Sequence, residues 1–260
     1  MSKGSGVFSV WIEVRDEERD LVIANLWEAG ATGITEEEGA LRAFFGPESD
    51  RGLLARDFRE YRPEFQDEDD YDWVGHARSQ WRPFAVGERF YLVPDWLDDP
   101  APEGRLRLRM HPGLACGTGT HPATRLCLMA MERHIRPGES VLDVGTGAGI
   151  LADAARLLGA SPVVGCDIEH NSTAVARGNL DSAIGLFTGS ARSVRDSAVD
   201  WAVCNLNAVT LATLKSELPR IARGLILSGF TEEELPKVGG LFKRKLIEEF
   251  DLEGYGCCVL

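Results

Sequence analysis

The chain has 260 residues, is 44% hydrophobic, and carries 28 Lys and Arg against 41 Asp and Glu, a formal charge of −13. Such apolar content can build a real core, and six Trp with eleven Phe exclude a disordered acidic tail. The charge argues against direct binding of nucleic acid, whose backbone is held by Lys and Arg displacing counterions. It is also unevenly placed. Residues 1–70 hold 8 Lys and Arg and 18 Asp and Glu, so 10 of the 13 net negative charges fall there. Two units with different tasks, or an acidic solvated face that aids solubility, both account for this.

In chain order, Phe8 to Val14 alternate apolar and polar as a half-buried strand does. Asp16 then opens a helix that closes at Gly30 and Gly33, with its acids in the first turn where the helix dipole favours them. Strands at 32–38 and 40–46 flank a turn at Gly39, and a helix follows from Ser49 to Tyr61. The order βαββα makes residues 1–62 a small α+β domain without catalytic residue types, so recognition or docking is its expected role. The charged run 63–72 reads as a linker and the Trp- and Pro-containing 73–96 as a hydrophobic connector, together a 63–96 linker region.

From residue 97 to 260 the grammar changes. A strand at 105–110 precedes a strand at 139–145, a helix at 150–160 and a strand at 162–168. A helix at 171–180, a strand at 198–206, a helix at 208–222 and a strand at 224–230 follow. Apolar runs alternating with helical patterns indicate βαβ units around a buried parallel sheet. Residues 244–252 and 255–260 look like a closing hairpin across Gly254. No secretory leader and no run of about 20 apolar residues is visible, so a soluble cytoplasmic protein away from membranes is expected. The six cysteines form no C-x-x-C pair and lie mostly in apolar runs, which fits buried thiols in a reducing compartment, and no metal site is expected.

The sharpest local signal is Val141-Leu-Asp143-Val-Gly145-Thr-Gly147-Ala-Gly149-Ile, a buried strand ending in a glycine turn before a helix. Glycines there let backbone approach a ligand while free helix N–H groups face its polar end. Asp167 ends the next strand, where an acid can accept hydrogen bonds from ribose hydroxyls. A nicotinamide or flavin site, or a plain strand–turn–helix, shares part of this pattern. The third glycine comes one residue early for a dinucleotide site, and with Asp143 the pattern resembles motif I of methyltransferases that use S-adenosylmethionine. Upstream, Gly113 to Thr124 forms a small-residue run ahead of an apolar helix. Taken alone, this run is a loop and helix cap, and His121 a structural histidine.

GLACGTGTHPAT resembles the G-x-A-F-G-T-G-x-H-x-T-T signature of the PrmA family, bacterial methyltransferases of lysines in the eleventh large-subunit ribosomal protein. The 73–96 connector, VLDVGTGAGILADAARLLGA, VVGCDIE, CNLNAVTL and LILSGFTEEE extend the match over most of the chain. The resemblance implies an α/β fold: a Rossmann-like class I methyltransferase domain preceded by the small α+β domain. It also implies S-adenosylmethionine as cofactor and a basic ribosomal protein as substrate, docked by the acidic first domain. By matched position, Gly145 and Gly147 would approach the methionine part of the cofactor near Asp143, and Asp167 would bind its ribose. Thr118, Gly119, His121 and Thr124 would line a lid over it. Asn205 would sit near the transferred methyl as the catalytic, amine-orienting group; as a plain sequence feature it also reads as a helix N-cap before Ala208. Cys116 and Ala123 depart from the signature, and the segment after Asn171 is shorter than usual. A methyltransferase for a small molecule or another protein, and a cofactor-binding protein without turnover, are the alternatives.

Overall fold

The computed structural model describes residues 6–15, 18–37, 39–68, 81–111 and 119–260. The chain divides into two compact units, Met1–Gln80 and Trp81–Leu260.

In the first unit the alternation at the N-terminus becomes strand β1 (Phe8–Glu13), whose Phe8, Val10 and Ile12 are buried. They pack against Val22 and Leu26 of helix α1 (Arg19–Glu28), and against Leu41, Ala43 and Phe45 of strand β3 (Ala40–Phe45). Strand β2 (Gly33–Glu37) pairs with β3. Helix α2 (Arg51–Asp57) adds Leu54 to the core and starts at Asp50, whose carboxylate accepts the Gly52 and Leu53 N–H groups at 2.7 and 3.2 Å. The expected first helix start at Asp16 lies outside the described residues.

The expected linker is interrupted by a fourth strand, β4 (Glu64–Asp67), which pairs antiparallel with β1 and gives the order β2-β3-β1-β4. Only Phe65 points to the core, its ring 6.0 Å from that of Phe8. Edge strands keep charges on their open side, and so few apolar residues leave no period to read.

The second unit replaces part of the expected connector with strands. Strand β5 (Phe84–Val86) forms a hairpin with β6 (Phe90–Pro94), and β6 runs parallel to β7 (Leu106–Met110). Helix α3 (Pro122–His134) follows, and then the alternating core. This comprises β8 (Val141–Val144), α4 (Ile150–Leu157), β9 (Val163–Asp167), α5 (His170–Asn179), β10 (Gly185–Thr188), β11 (Val199–Asn205), α6 (Ala208–Thr213), α7 (Leu218–Ile221) and β12 (Ala222–Thr231). Helix α8 (Leu235–Leu241) precedes the hairpin of β13 (Glu248–Leu252) and β14 (Tyr255–Val259).

These strands make one sheet in the order β10-β9-β8-β11-β12-β14-β13. Strands β8 to β12 run parallel, and β14 closes antiparallel on β12. Neighbouring residues go to opposite sides: Val141, Val203 and Ile226 join the core under α3 and α4, while Leu142, Cys204 and Leu225 join the core under α6 to α8. Burial on both faces is what makes these strands read as unbroken apolar runs. The chain winds outward from β8 through β9 to β10, then returns to place β11 on the other side of β8. A crevice therefore opens at the carboxyl ends of β8 and β11.

Three sequence expectations change here. Strand β10 is only four residues long and starts on a glycine, too short to show a period, so the sequence predicts no strand there. The helix expected over 208–222 is two helices, because Pro219 has no N–H and fits only the first turn of α7. The strand expected from Arg244 begins at Glu248, while Arg244 turns back to donate to the carbonyls of Pro219 and Ala222 at 2.8 and 2.7 Å. Cys127, Cys166, Cys204, Cys257 and Cys258 are buried and unpaired; Cys116 lies outside the described residues. Among the described residues no helix is long and apolar enough to cross a membrane, and no His, Cys, Asp and Glu cluster could hold a metal ion.

Candidate functional site

The glycine turn grows from the end of β8. Gly145, Gly147 and Gly149 all take positive φ, at 77°, 53° and 94°. The Gly145 and Thr146 N–H groups donate to the Cys166 carbonyl on β9 at 2.8 and 3.0 Å, which ties the turn to the neighbouring strand. Helix α4 starts directly after Gly149.

Asp143 lies beneath this turn rather than in an open wall. Its side chain is buried, and one oxygen accepts the Thr146 hydroxyl at 2.7 Å and the Ala152 N–H at 3.2 Å. The other oxygen, Oδ1, is buried without a partner. Burial pushes the carboxyl up to about 7, against the two hydrogen bonds and with a smaller push from Asp167. Burial likewise pushes the Cys166 thiol up to about 12 and Cys204 upward, so neither neighbouring thiol serves as a nucleophile.

Asp167 ends β9 and is held by backbone at both oxygens: Gly147 N–H donates to Oδ2 at 3.1 Å and Glu169 N–H to Oδ1 at 3.0 Å. The glycine turn and the strand-end acid thereby form one rigid unit. They line a cleft of about 1050 Å³ together with Ile150, Ile168, Arg192, Asn205 and Leu206. Clefts of this order hold small organic ligands.

Asn205 ends β11 on the other side of β8. It does not cap the following helix: Asn207 does, accepting the Thr210 N–H at 2.8 Å. The Asn205 amide instead donates from Nδ2 to Thr124 Oγ1 at 3.0 Å. Thr124 is buried in the first turn of α3, one step behind the cleft wall. Holding the amide by its NH₂ end leaves the carbonyl oxygen as its acceptor.

The other expected lid residues sit around the start of α3. Gly119 is buried, and a Cβ there would meet Leu92 and Ile150. His121 caps α3 by accepting the Ala123 N–H at Nδ1, 3.2 Å, and its ring stands edge-on to Tyr255 at 4.6 Å. Thr118 lies outside the described residues. The structure thus brings Gly145, Gly147, Asp167 and Asn205 to one cleft, with Asp143, Gly119, His121 and Thr124 set around or beneath it. Sequence reasoning passed over Thr146, Leu206, Arg192 and Ile168. Only Ile168 carried a signal, an apolar residue directly after the strand-end acid, and it is 76% exposed.

The Asp143 carboxyl yields a pH test. Its folded value of about 7 lies above the ordinary 3.8, so between about pH 4 and 7 the folded chain keeps a proton that the unfolded chain has released. Stability from this group falls as pH rises through that window and levels off above it. Urea unfolding between pH 5 and 6.5 should show the wild type losing roughly 1 kcal/mol per pH unit more than Asp143→Asn. Parallel profiles for the two proteins would overturn the assignment.

Comparison with known proteins adds an independent finding. The family model of ribosomal protein L11 methyltransferases, PrmA, matches residues 5–253. The ribosomal protein L11 methyltransferase of Cupriavidus taiwanensis is 41% identical over 178 residues, covering 67% of this chain and 60% of that protein. That of Cupriavidus necator is 40% identical over 178 residues, covering 67% and 59%. The crystal structure of the ribosomal protein L11 methylase from Lactobacillus delbrueckii subsp. bulgaricus superimposes with a TM-score of 0.63 at 28% identity, over 69% of this chain and 97% of that one. The chain spans about 60% of the length of the curated relatives it matches.

Proposed function

The chain belongs to the ribosomal protein L11 methyltransferase family, and from that premise we propose that it is an enzyme that methylates lysine amines of ribosomal protein L11, with S-adenosylmethionine as donor. The observation that carries this reading is the cleft itself. A ribose-competent carboxylate and a glycine turn face the same space as an amide whose oxygen is free to accept.

The residues present fit the cofactor. Asp167 spends one lone pair of each oxygen on backbone N–H groups, which leaves acceptor capacity for two ribose hydroxyls. Gly145 and Gly147 present backbone without side chains at the cleft wall. Ile168 offers an apolar face beside Asp167. When bound, S-adenosylmethionine supplies a methyl group already activated by its sulfonium.

What remains for the protein is mainly placement. A lysine ammonium must shed a proton to solvent before its nitrogen can attack, and an uncharged amide oxygen can hold the amine while favouring the cation far less than a carboxylate would. Asn205 provides that oxygen, with Thr124 fixing the plane of the amide. The first unit, which carries most of the negative charge, is suited to docking a basic protein. A cytoplasmic setting fits its buried, unpaired thiols.

The test is incubation of the full chain with tritiated S-adenosylmethionine and unmethylated ribosomal protein L11. Label should enter L11, less so as salt is raised. Absence of label in L11, under conditions where calorimetry shows the cofactor bound, would overturn the proposal. Label appearing instead in a small-molecule extract would move the substrate away from protein.

A further inference from the structure

Leu206 follows Asn205 and lines the cleft, and two glycines, Gly145 just past the end of β8 and Gly229 within β12, make room for it. A Cβ on Gly145 would stand 2.6 Å from Leu206 Cδ2. A Cβ on Gly229 would stand 2.6 Å from the Leu206 nitrogen and 2.7 Å from its carbonyl carbon and oxygen. These two contacts differ in kind. The first meets the tip of a flexible side chain, which can turn away. The second meets backbone, which can yield only by carrying its neighbour Asn205 with it.

Gly229 lies at φ +100°, where the pairing of β12 with β14 shifts register between Ser228 and Phe230. Bulges of this kind re-aim a strand next to functional sites. Here the Ser228 carbonyl accepts the Leu206 N–H at 2.8 Å. The buried Ser228 hydroxyl donates to the Gly256 carbonyl at 2.8 Å, which anchors the bulge to β14. The Leu206 backbone is therefore seated on β12 by one hydrogen bond and one bare Cα. The Asn205 side chain is held from the opposite side by Thr124.

We infer that Gly229 is a positioning residue for methyl transfer: its missing side chain seats the Leu206 backbone and so fixes the Asn205 amide relative to the Gly145–Gly147 turn. The inference rests on the reading of Asn205 as the group that orients the amine. It concerns placement only, since Gly229 does not line the cleft. Displacement by a fraction of an ångström at Leu206 would pass to Asn205 through a single peptide, and misplacement on the order of 1 Å can cost about 100-fold in rate.

The experiment compares Gly229→Ala, Gly104→Ala and Asn205→Ala in the full chain. Gly104 also has positive φ, +80°, but an added Cβ meets nothing within 4 Å, so it reports the conformational penalty without the collision. Thermal unfolding, calorimetric binding of S-adenosylhomocysteine, and kcat and KM with ribosomal protein L11 are read for each. Gly229→Ala should stay folded, bind S-adenosylhomocysteine within about 3-fold of wild type and keep its KM, while kcat falls at least about 10-fold. Gly104→Ala should turn over like wild type. An unchanged kcat in Gly229→Ala, a loss of folding or cofactor binding in parallel with kcat, or an equal loss in Gly104→Ala would overturn the inference. Full turnover by Asn205→Ala would remove the reading beneath it as well, whereas an inactive Asn205→Ala beside an active Gly229→Ala would remove this inference alone.

Discussion

Replacing Asp167 by alanine should weaken S-adenosylmethionine binding by about 100-fold in calorimetry, with little change in the unfolding temperature. The size follows from the hydrogen bonds at stake. A bond to a charged acceptor contributes about 1.5–3 kcal/mol, and two ribose hydroxyls would meet this carboxylate. Those values are already net of exchange with water, so two such bonds at the low end sum to roughly 3 kcal/mol, or about two decades in Kd. The alanine also leaves the Gly147 N–H without its acceptor, which loosens the turn that faces the ligand. Asp167→Asn keeps the shape and one acceptor oxygen, so it should lose only about 10-fold. The side chain is only half-buried at the cleft, so the fold itself has little to lose. Cofactor affinity within about 3-fold of wild type in Asp167→Ala would remove it from the ribose site.

The parts of this fold that were legible in the sequence are those buried on both sides. Val141, Leu142, Val144 and Ala202 to Cys204 read as strand because successive residues face one or the other of two cores, which favours apolar runs. β4 was not legible, because a charged edge strand with one inward Phe65 has the composition of a linker. The site divides the same way. Spacing alone brought Gly145, Gly147 and Asp167 together, since a strand–turn–helix followed by a second strand end leaves little freedom. Spacing could not place Asp143, whose burial depends on Thr146 and Ala152 folding back over it. Nor did it assign the cap of α6 correctly: Asn207, directly before Ala208, takes the cap, while Asn205 is held by Thr124, 81 positions away. Nor could spacing give Gly229 its partner, although it lies within LILSGFTEEE. A glycine within a strand marks close backbone approach in general, but the partner, Leu206, is set by the parallel register of β11 on β12.

Asn205→Ala should lower kcat about 100-fold while cofactor affinity stays within about 3-fold of wild type. The separation is expected because Asn205 stands on β11, across β8 from Asp167, and in the proposed reading its oxygen serves the acceptor amine. Removing that oxygen leaves the amine to sample orientations from which in-line attack fails, and orientation of this kind is worth several kcal/mol of barrier. Thr124→Val supplies the intermediate case. Valine keeps the volume in the first turn of α3 but cannot accept from Asn205 Nδ2, so the amide loses its fixed plane and not its oxygen. A kcat loss of about 10-fold, with unchanged cofactor binding, is expected there. Asn205→Asp sharpens the assignment further, because a carboxylate in this place would pair with the lysine ammonium and hold its proton on. Its turnover should therefore recover as pH rises past the range where wild type has levelled off. If Asn205→Ala turns over within about 3-fold of wild type, or if Asn205→Asp follows the wild-type pH profile, the amine is oriented by another group in the cleft.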